Sequence, residues 1–161
     1  MAARIHQLLD RWLAQAPDRP FIHLPDGRSL SFADLGALTD AAEAELRQLG
    51  VRAGDRVLVV AENCPEHAAL ILAASRVGAW SCGVNARMAP GEVDAFAAKA
   101  DARLLYFTAS GSRAAAGHAR RHAGVASVLP GMQHGAVREQ ATVEPPPLQD
   151  DVAALIFTSG T

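Results

Sequence analysis

Residues 56–84 read RVLVVAENCPEHAALILAASRVGAWSCGV, and this stretch decides the fold class. Arg56–Ala61 is an apolar, β-branched run without polar alternation, the pattern of a strand covered on both faces. Asn63 reads as the N-cap of a helix with Pro65 in its first turn and Glu66 at the reciprocal position. The helix body, HAALILAASRV, is apolar almost all round and is expected to be buried. After Gly78 a second apolar run, residues 79–84, reads as another buried strand. Strand, helix and strand in this order form a crossover unit, and a crossover long enough to hold a helix implies parallel strands.

The alternation continues downstream. A helix is expected from about Pro90 to Ala100, a strand over 103–108, a helix over 112–122 and a short strand over 125–129. Upstream, Ile5, Leu8, Leu9, Trp12 and Ala16 recur at helical spacing until Pro17. FIHL (21–24) and RSLS (28–31) flank Pro25-Asp26-Gly27 as a hairpin. Ser31 and Asp34 then form a capping box for a helix whose stripe is Leu35, Leu38, Ala42, Leu46 and Leu49, closed at Gly50. The expected fold is α/β: a mostly parallel, doubly wound sheet flanked by helices. The expected division is an α/β subdomain over 1–138, a proline-rich connector over 139–151, and a strand with the start of a loop over 152–161.

Composition narrows the function. The chain has 161 residues, half of them hydrophobic and 20% charged, with a net charge of −2. There is no basic excess to neutralise phosphates, and aromatics at 5% offer few stacking platforms, so a nucleic-acid partner is not expected. The longest apolar run, Ala68–Ala74, is far short of the ~20 residues of a membrane span. The N-terminus lacks the apolar core of a signal peptide, and two cysteines make no disulfide framework, so a reduced cytoplasmic setting is expected.

Few residues carry chemistry by themselves. Thr158-Ser159-Gly160-Thr161 follows a strand and offers hydroxyls, backbone N–H groups and a glycine that allows close approach to a phosphate. The same four residues equally suit an ordinary turn. Neither a Walker loop nor a Gly-x-Ser-x-Gly elbow occurs. His118 and His122 stand four apart, but with no third ligand they read as part of a solvated basic face. Cys82 reads as a core filler. No catalytic residue and no metal site is expected.

Taken together, APDRPFIH (16–23), LSFADL (30–35), GVRAGDRVLVVAEN (50–63), PEH (65–67), GAW (78–80), VNARMAPGEV (84–93), the acidic pair Asp150-Asp151 and LIFTSGT (155–161) resemble the opening of an adenylate-forming enzyme of the acyl-CoA synthetase, adenylation-domain and luciferase superfamily. Phe157 stands where tyrosine is frequent in that family, and Ala86 where proline often follows the asparagine. The resemblance implies activation of a small-molecule carboxylic acid by ATP with Mg²⁺, giving an acyl-adenylate and then a thioester with coenzyme A. It implies that Thr158, Ser159, Gly160 and Thr161 begin a loop on the ATP phosphates. It also places Arg87 near the nucleotide end of coenzyme A, whereas by residue type alone Arg87 reads as an exposed arginine capping the following helix. The rest of that loop, the metal carboxylate, the acyl pocket and the catalytic lysine belong, by resemblance, to later sequence. The chain is therefore expected to be an N-terminal fragment that is inactive by itself and exposes apolar surface prone to homo-oligomerisation. The alternatives are a stand-alone α/β interaction module derived from such an enzyme, or a fragment of an amino-acid adenylation domain. A flavodoxin-like nucleotide binder lacks support, because no complete phosphate loop follows the first strand.

Overall fold

A computed structural model describes residues 4–146 and 152–157. Its elements are α1 (His6–Gln15), β1 (Pro20–His23), β2 (Ser29–Ser31), α2 (Phe32–Gln48), β3 (Arg56–Ala61), α3 (Pro65–Val77), β4 (Trp80–Asn85), α4 (Pro90–Lys99), β5 (Leu104–Phe107), α5 (Arg113–Arg121), β6 (Val125–Ala126), β7 (Gln133–His134) and β8 (Ala154–Leu155). The strands β1 and β2 pair as the small antiparallel hairpin. The main sheet has the order β6-β7-β5-β3-β4-β8. Strands β5, β3, β4 and β8 are parallel, and β7 joins antiparallel between β5 and β6.

Each face of this sheet is buried, as the sequence pattern requires. Val57, Val59 and Ala61 pack with Ala42 and Leu46 of α2 and with Leu70, Ala73 and Ala74 of α3. Leu58, Val60, Cys82, Val84 and Phe107 pack on the other side with Val93 of α4 and with Ala115 and Ala119 of α5. All six residues of β3 are buried. Truncating Leu58 or one of its three valines leaves a cavity, and a buried leucine cut to alanine costs about 2–5 kcal/mol.

The helix starts follow from local chemistry. At α2, the Ser31 hydroxyl accepts from the Asp34 backbone N–H (3.1 Å), while the Asp34 carboxylate accepts from the Ser31 N–H (2.8 Å). At α3 the cap is Cys64 rather than Asn63. A proline disfavours helical geometry in the residue before it, so Cys64 stays extended at φ −154° and ψ 162°, with Pro65 opening the helix.

The 125–129 strand is shorter than expected, Val125–Ala126. The chain turns away because Glu45 of α2, itself buried, accepts from the Ser127 hydroxyl at 2.6 Å, the Val128 N–H at 2.8 Å and the Tyr106 hydroxyl at 2.8 Å. Strand β7 was not expected, since Gln133–His134 carries no apolar pattern. The final strand is likewise only Ala154–Leu155, within the expected 152–157.

Candidate carboxyl-edge site

In open parallel sheets, ligands sit beyond the carboxyl ends of the strands. Here that edge is formed by residues at and just after the ends of β3, β4 and β5. Glu62 follows β3, and its backbone N–H donates to the Thr108 hydroxyl after β5 at 3.0 Å. At the end of β4, the Asn85 side chain accepts from the Arg87 N–H at 2.8 Å. The Ala86 N–H donates to the Ala61 carbonyl at 3.2 Å, so the β4 loop is tied to the end of β3.

Arg87 reaches across this edge. Its Nε lies 3.1 Å from Glu62 Oε1 and its Nη2 lies 3.4 Å from Oε2, with the arginine side chain 77% exposed. It does not cap the next helix. That role falls to Ala89 and Glu92, whose carboxylate accepts from the Ala89 N–H at 2.8 Å. Glu62 is therefore the residue that sequence reasoning missed. The available signal was its place, directly after the last residue of a buried parallel strand.

Thr158, Ser159, Gly160 and Thr161 lie outside the described residues, as does the Asp150-Asp151 pair. The residue that leads into them is well held. Phe157 packs on Phe96 of α4, with ring centroids 4.6 Å apart, and the Lys99 ammonium stands 5.7 Å from the Phe157 ring centroid. Strand β8 pairs with β4 through Ser81 with Ala154 and Cys82 with Leu155. It therefore runs parallel to β4 along the first half of that strand, and residues 155–157 line a cleft with Arg56, Trp80, Asp101 and Thr142.

The histidine pair corrects the sequence reading. His118 is buried, not solvated, and its Nε2 lies 3.0 Å from the Ala86 carbonyl oxygen and 3.1 Å from that of Met88. His122 faces Phe107, with ring centroids 5.5 Å apart, and its Nε2 is 3.1 Å from Asp94 Oδ1. Among the described residues, no group of three or more His, Cys, Asp or Glu side chains could hold a metal ion. Burial pushes the thiols of Cys64 and Cys82 up to about 11, which leaves both unreactive near neutral pH. No helix among the described residues is long and apolar enough to cross a membrane.

A sheet wound on both faces, with polar groups converging at the carboxyl ends of β3, β4 and β5, is the architecture of a nucleotide- or cofactor-handling α/β domain. The family model described as AMP-binding enzyme matches residues 9–161, and the chain belongs to that family. It is 31% identical over 157 residues to 4-coumarate–CoA ligase 3 of Oryza sativa subsp. japonica, covering 92% of this chain and 28% of the relative. It is 30% identical over 169 residues to the fatty acid–[acyl-carrier-protein] ligase MmaC of Mycobacterium marinum, covering 96% of this chain and 31% of the relative. The fold is similar to apo MatB from Rhodopseudomonas palustris, with a TM-score of 0.60 and 28% identity over 65% of this chain and 21% of that one. MatB has also been solved with ATP bound. The chain spans under a third of the length of these curated relatives.

Proposed function

We propose that this chain is the N-terminal α/β part of an ATP-dependent enzyme that activates a small carboxylic acid as its acyl-adenylate and then passes the acyl group to coenzyme A. The observation that carries the reading is the family match, which runs up to Thr161 and so includes the Thr158-Ser159-Gly160-Thr161 segment. Thr158, Ser159, Gly160 and Thr161 would supply backbone N–H and hydroxyl donors to the ATP phosphates. Such preorganised donors stabilise charge that develops during phosphoryl chemistry. Gly160 would let the backbone approach a phosphate oxygen closely, which a side chain there would obstruct.

On this edge Arg87 would supply an exposed guanidinium for an anionic group, the role by which it would meet the phosphates of coenzyme A. A ligand would displace the pairing of Arg87 with Glu62, a surface ion pair that contributes about 0–1 kcal/mol. Mg²⁺ would assist at the phosphates in the whole enzyme, held by residues outside those described. The working compartment in this reading is the cytoplasm.

In this reading the acyl pocket and the catalytic lysine are supplied by parts of the enzyme other than residues 1–161, and the chain alone does not form an acyl-adenylate. The purified chain, given ATP, Mg²⁺ and a panel of carboxylic acids, should give no exchange of labelled pyrophosphate into ATP; carboxylate-dependent exchange would refute this. Replacing Gly160 with valine should abolish whatever ATP binding the chain retains. Unchanged ATP affinity in that variant would remove the phosphate loop from the reading.

A second reading changes the acceptor: a carrier protein in place of coenzyme A. It is favoured by the similarity to MmaC, a ligase that acts with an acyl-carrier protein. Transfer of the acyl group to free coenzyme A by the whole enzyme separates the two.

A further inference from the structure

His118 lies outside the chemistry described above, yet it is buried at 4% exposure and aimed at the loop that carries Arg87. Its Nε2 is 3.0 Å from the carbonyl oxygen of Ala86 and 3.1 Å from that of Met88, the residues on either side of Arg87. Both partners are acceptors, so Nε2 carries the proton and shares it between them. The other ring nitrogen, Nδ1, is buried with no hydrogen-bond partner among the described residues. The imidazole therefore has one polar task here, and that task is to hold two carbonyls.

The rest of the loop is fastened from the other side. Asn85 accepts from the Arg87 N–H through its side chain and from the Met88 N–H through its carbonyl, at 2.8 and 3.1 Å. Ala86 is fully buried in the same apolar cluster as Ala115 and Ala119, which flank His118 on α5. One helix thus donates both the packing surface and the N–H that fix the backbone beneath an exposed guanidinium.

We infer that His118 is the positioning residue of the Arg87 loop: by bridging the Ala86 and Met88 carbonyls it fixes the peptide beneath Arg87, so that the guanidinium stands at the carboxyl edge beside Glu62, ready for a polyanionic ligand. The ligand part of this inference rests on the proposed role of Arg87; the positioning part does not. A leucine at 118 fills similar space but supplies no donor, so the two carbonyls lose their shared partner. A glutamine places an amide N–H at a similar reach.

The test uses the intact chain and three readouts. The long-range ¹H–¹⁵N spectrum of the His118 ring should report the Nε2–H tautomer; the Nδ1–H tautomer would overturn the inference without any variant having to fold. In H118L, amide exchange at Arg87 and Met88 should rise about tenfold or more while β3 amides stay protected, as local opening requires. H118Q should restore the slow exchange. Equal exchange at Arg87 and Met88 in H118L and the unaltered chain would also overturn it. Coenzyme A is the probe for the third readout: its affinity should fall in H118L, recover in H118Q and fall to a similar extent in R87A. If exchange responds as expected but coenzyme A does not bind the unaltered chain, the positioning role stands and the ligand assignment of Arg87 fails.

Discussion

At the scale of single residues, magnitudes separate groups that hold the fold from groups free to serve a ligand. Glu45 collects three donors in a buried position, from Tyr106, Ser127 and the Val128 backbone. Burial and the Glu45 carboxylate together push the Tyr106 hydroxyl far above its ordinary range, so it stays a neutral donor at all working pH values. Changing Tyr106 to phenylalanine removes one charge-directed hydrogen bond and should cost about 1.5–3 kcal/mol, read from the shift of the urea midpoint. The pair between Arg87 and Glu62 belongs to the other class. Changing Glu62 to glutamine should alter stability by no more than about 0.5 kcal/mol, as exposed substitutions do. The same change should strengthen coenzyme A binding, because it removes a carboxylate competing for the guanidinium. Weaker binding in that variant would contradict the role given to Arg87.

At the scale of elements, residues 138–144 are bound to the amino-terminal edge of the sheet by charge. Asp101, at φ 47° beyond the end of α4, accepts from the Thr142 N–H at 2.8 Å, Arg138 Nη2 at 2.7 Å and Arg56 Nη2 at 3.2 Å. The Thr142 backbone N–H is the main cause, followed by the Thr142 side chain and Arg138, that holds the Asp101 carboxyl down at about 2. A depressed carboxylate stabilises the fold above its unfolded value near 3.8, and that contribution is lost as pH falls through about 2. The protection of residues 138–144 against amide exchange, measured relative to the intrinsic rate at each pH, should therefore fall between about pH 4 and pH 2. In D101N the segment should be loose already at pH 7, with no acid step.

How far these elements are legible in the sequence depends on where their determinants lie. The unit from β3 through α3 to β4 could be read because burial on both faces writes itself into consecutive apolar residues. The Ser31–Asp34 box could be read because its partners are three residues apart. By contrast, β7 exists because β5 offers an edge to it, and Val125–Ala126 ends where Glu45, distant in sequence, takes the next amides. His118 was misread for the same reason. Its neighbours Arg120 and Arg121 are exposed, and nothing local reveals that the ring turns inward to Ala86 and Met88. The strand preceding the candidate phosphate loop could be placed from its pattern, while the Phe96 and Lys99 contacts to Phe157 could not.

At the scale of the whole molecule, one end carries polar groups and one flank is left apolar. Leu8, Trp12 and Phe21 are partly or largely exposed around a cleft of about 300 Å³ that is also lined by Ile5, Leu9, Phe32, Leu35 and Leu72. Trp12 and Phe21 each stack on Phe32, with centroids 5.2 and 4.5 Å apart. A contiguous apolar surface of this kind binds hydrophobic dyes and promotes self-association. The chain should bind such a dye and elute above monomer mass, and Trp12→Ser should reduce both; a monomer that binds no dye would speak against that expectation. The central claim concerns the opposite feature, the carboxyl edge as the face that meets nucleotide. Its most direct test is a titration of the ¹⁵N-labelled chain with ATP and Mg²⁺, following every backbone amide. The account predicts shifts concentrated at Glu62, Asn85–Met88 and Thr108, and at the amides of residues 158–161. Shifts confined to the amino-terminal edge, around Arg56, Asp101 and Thr142, or to the apolar flank around Trp12, would contradict it.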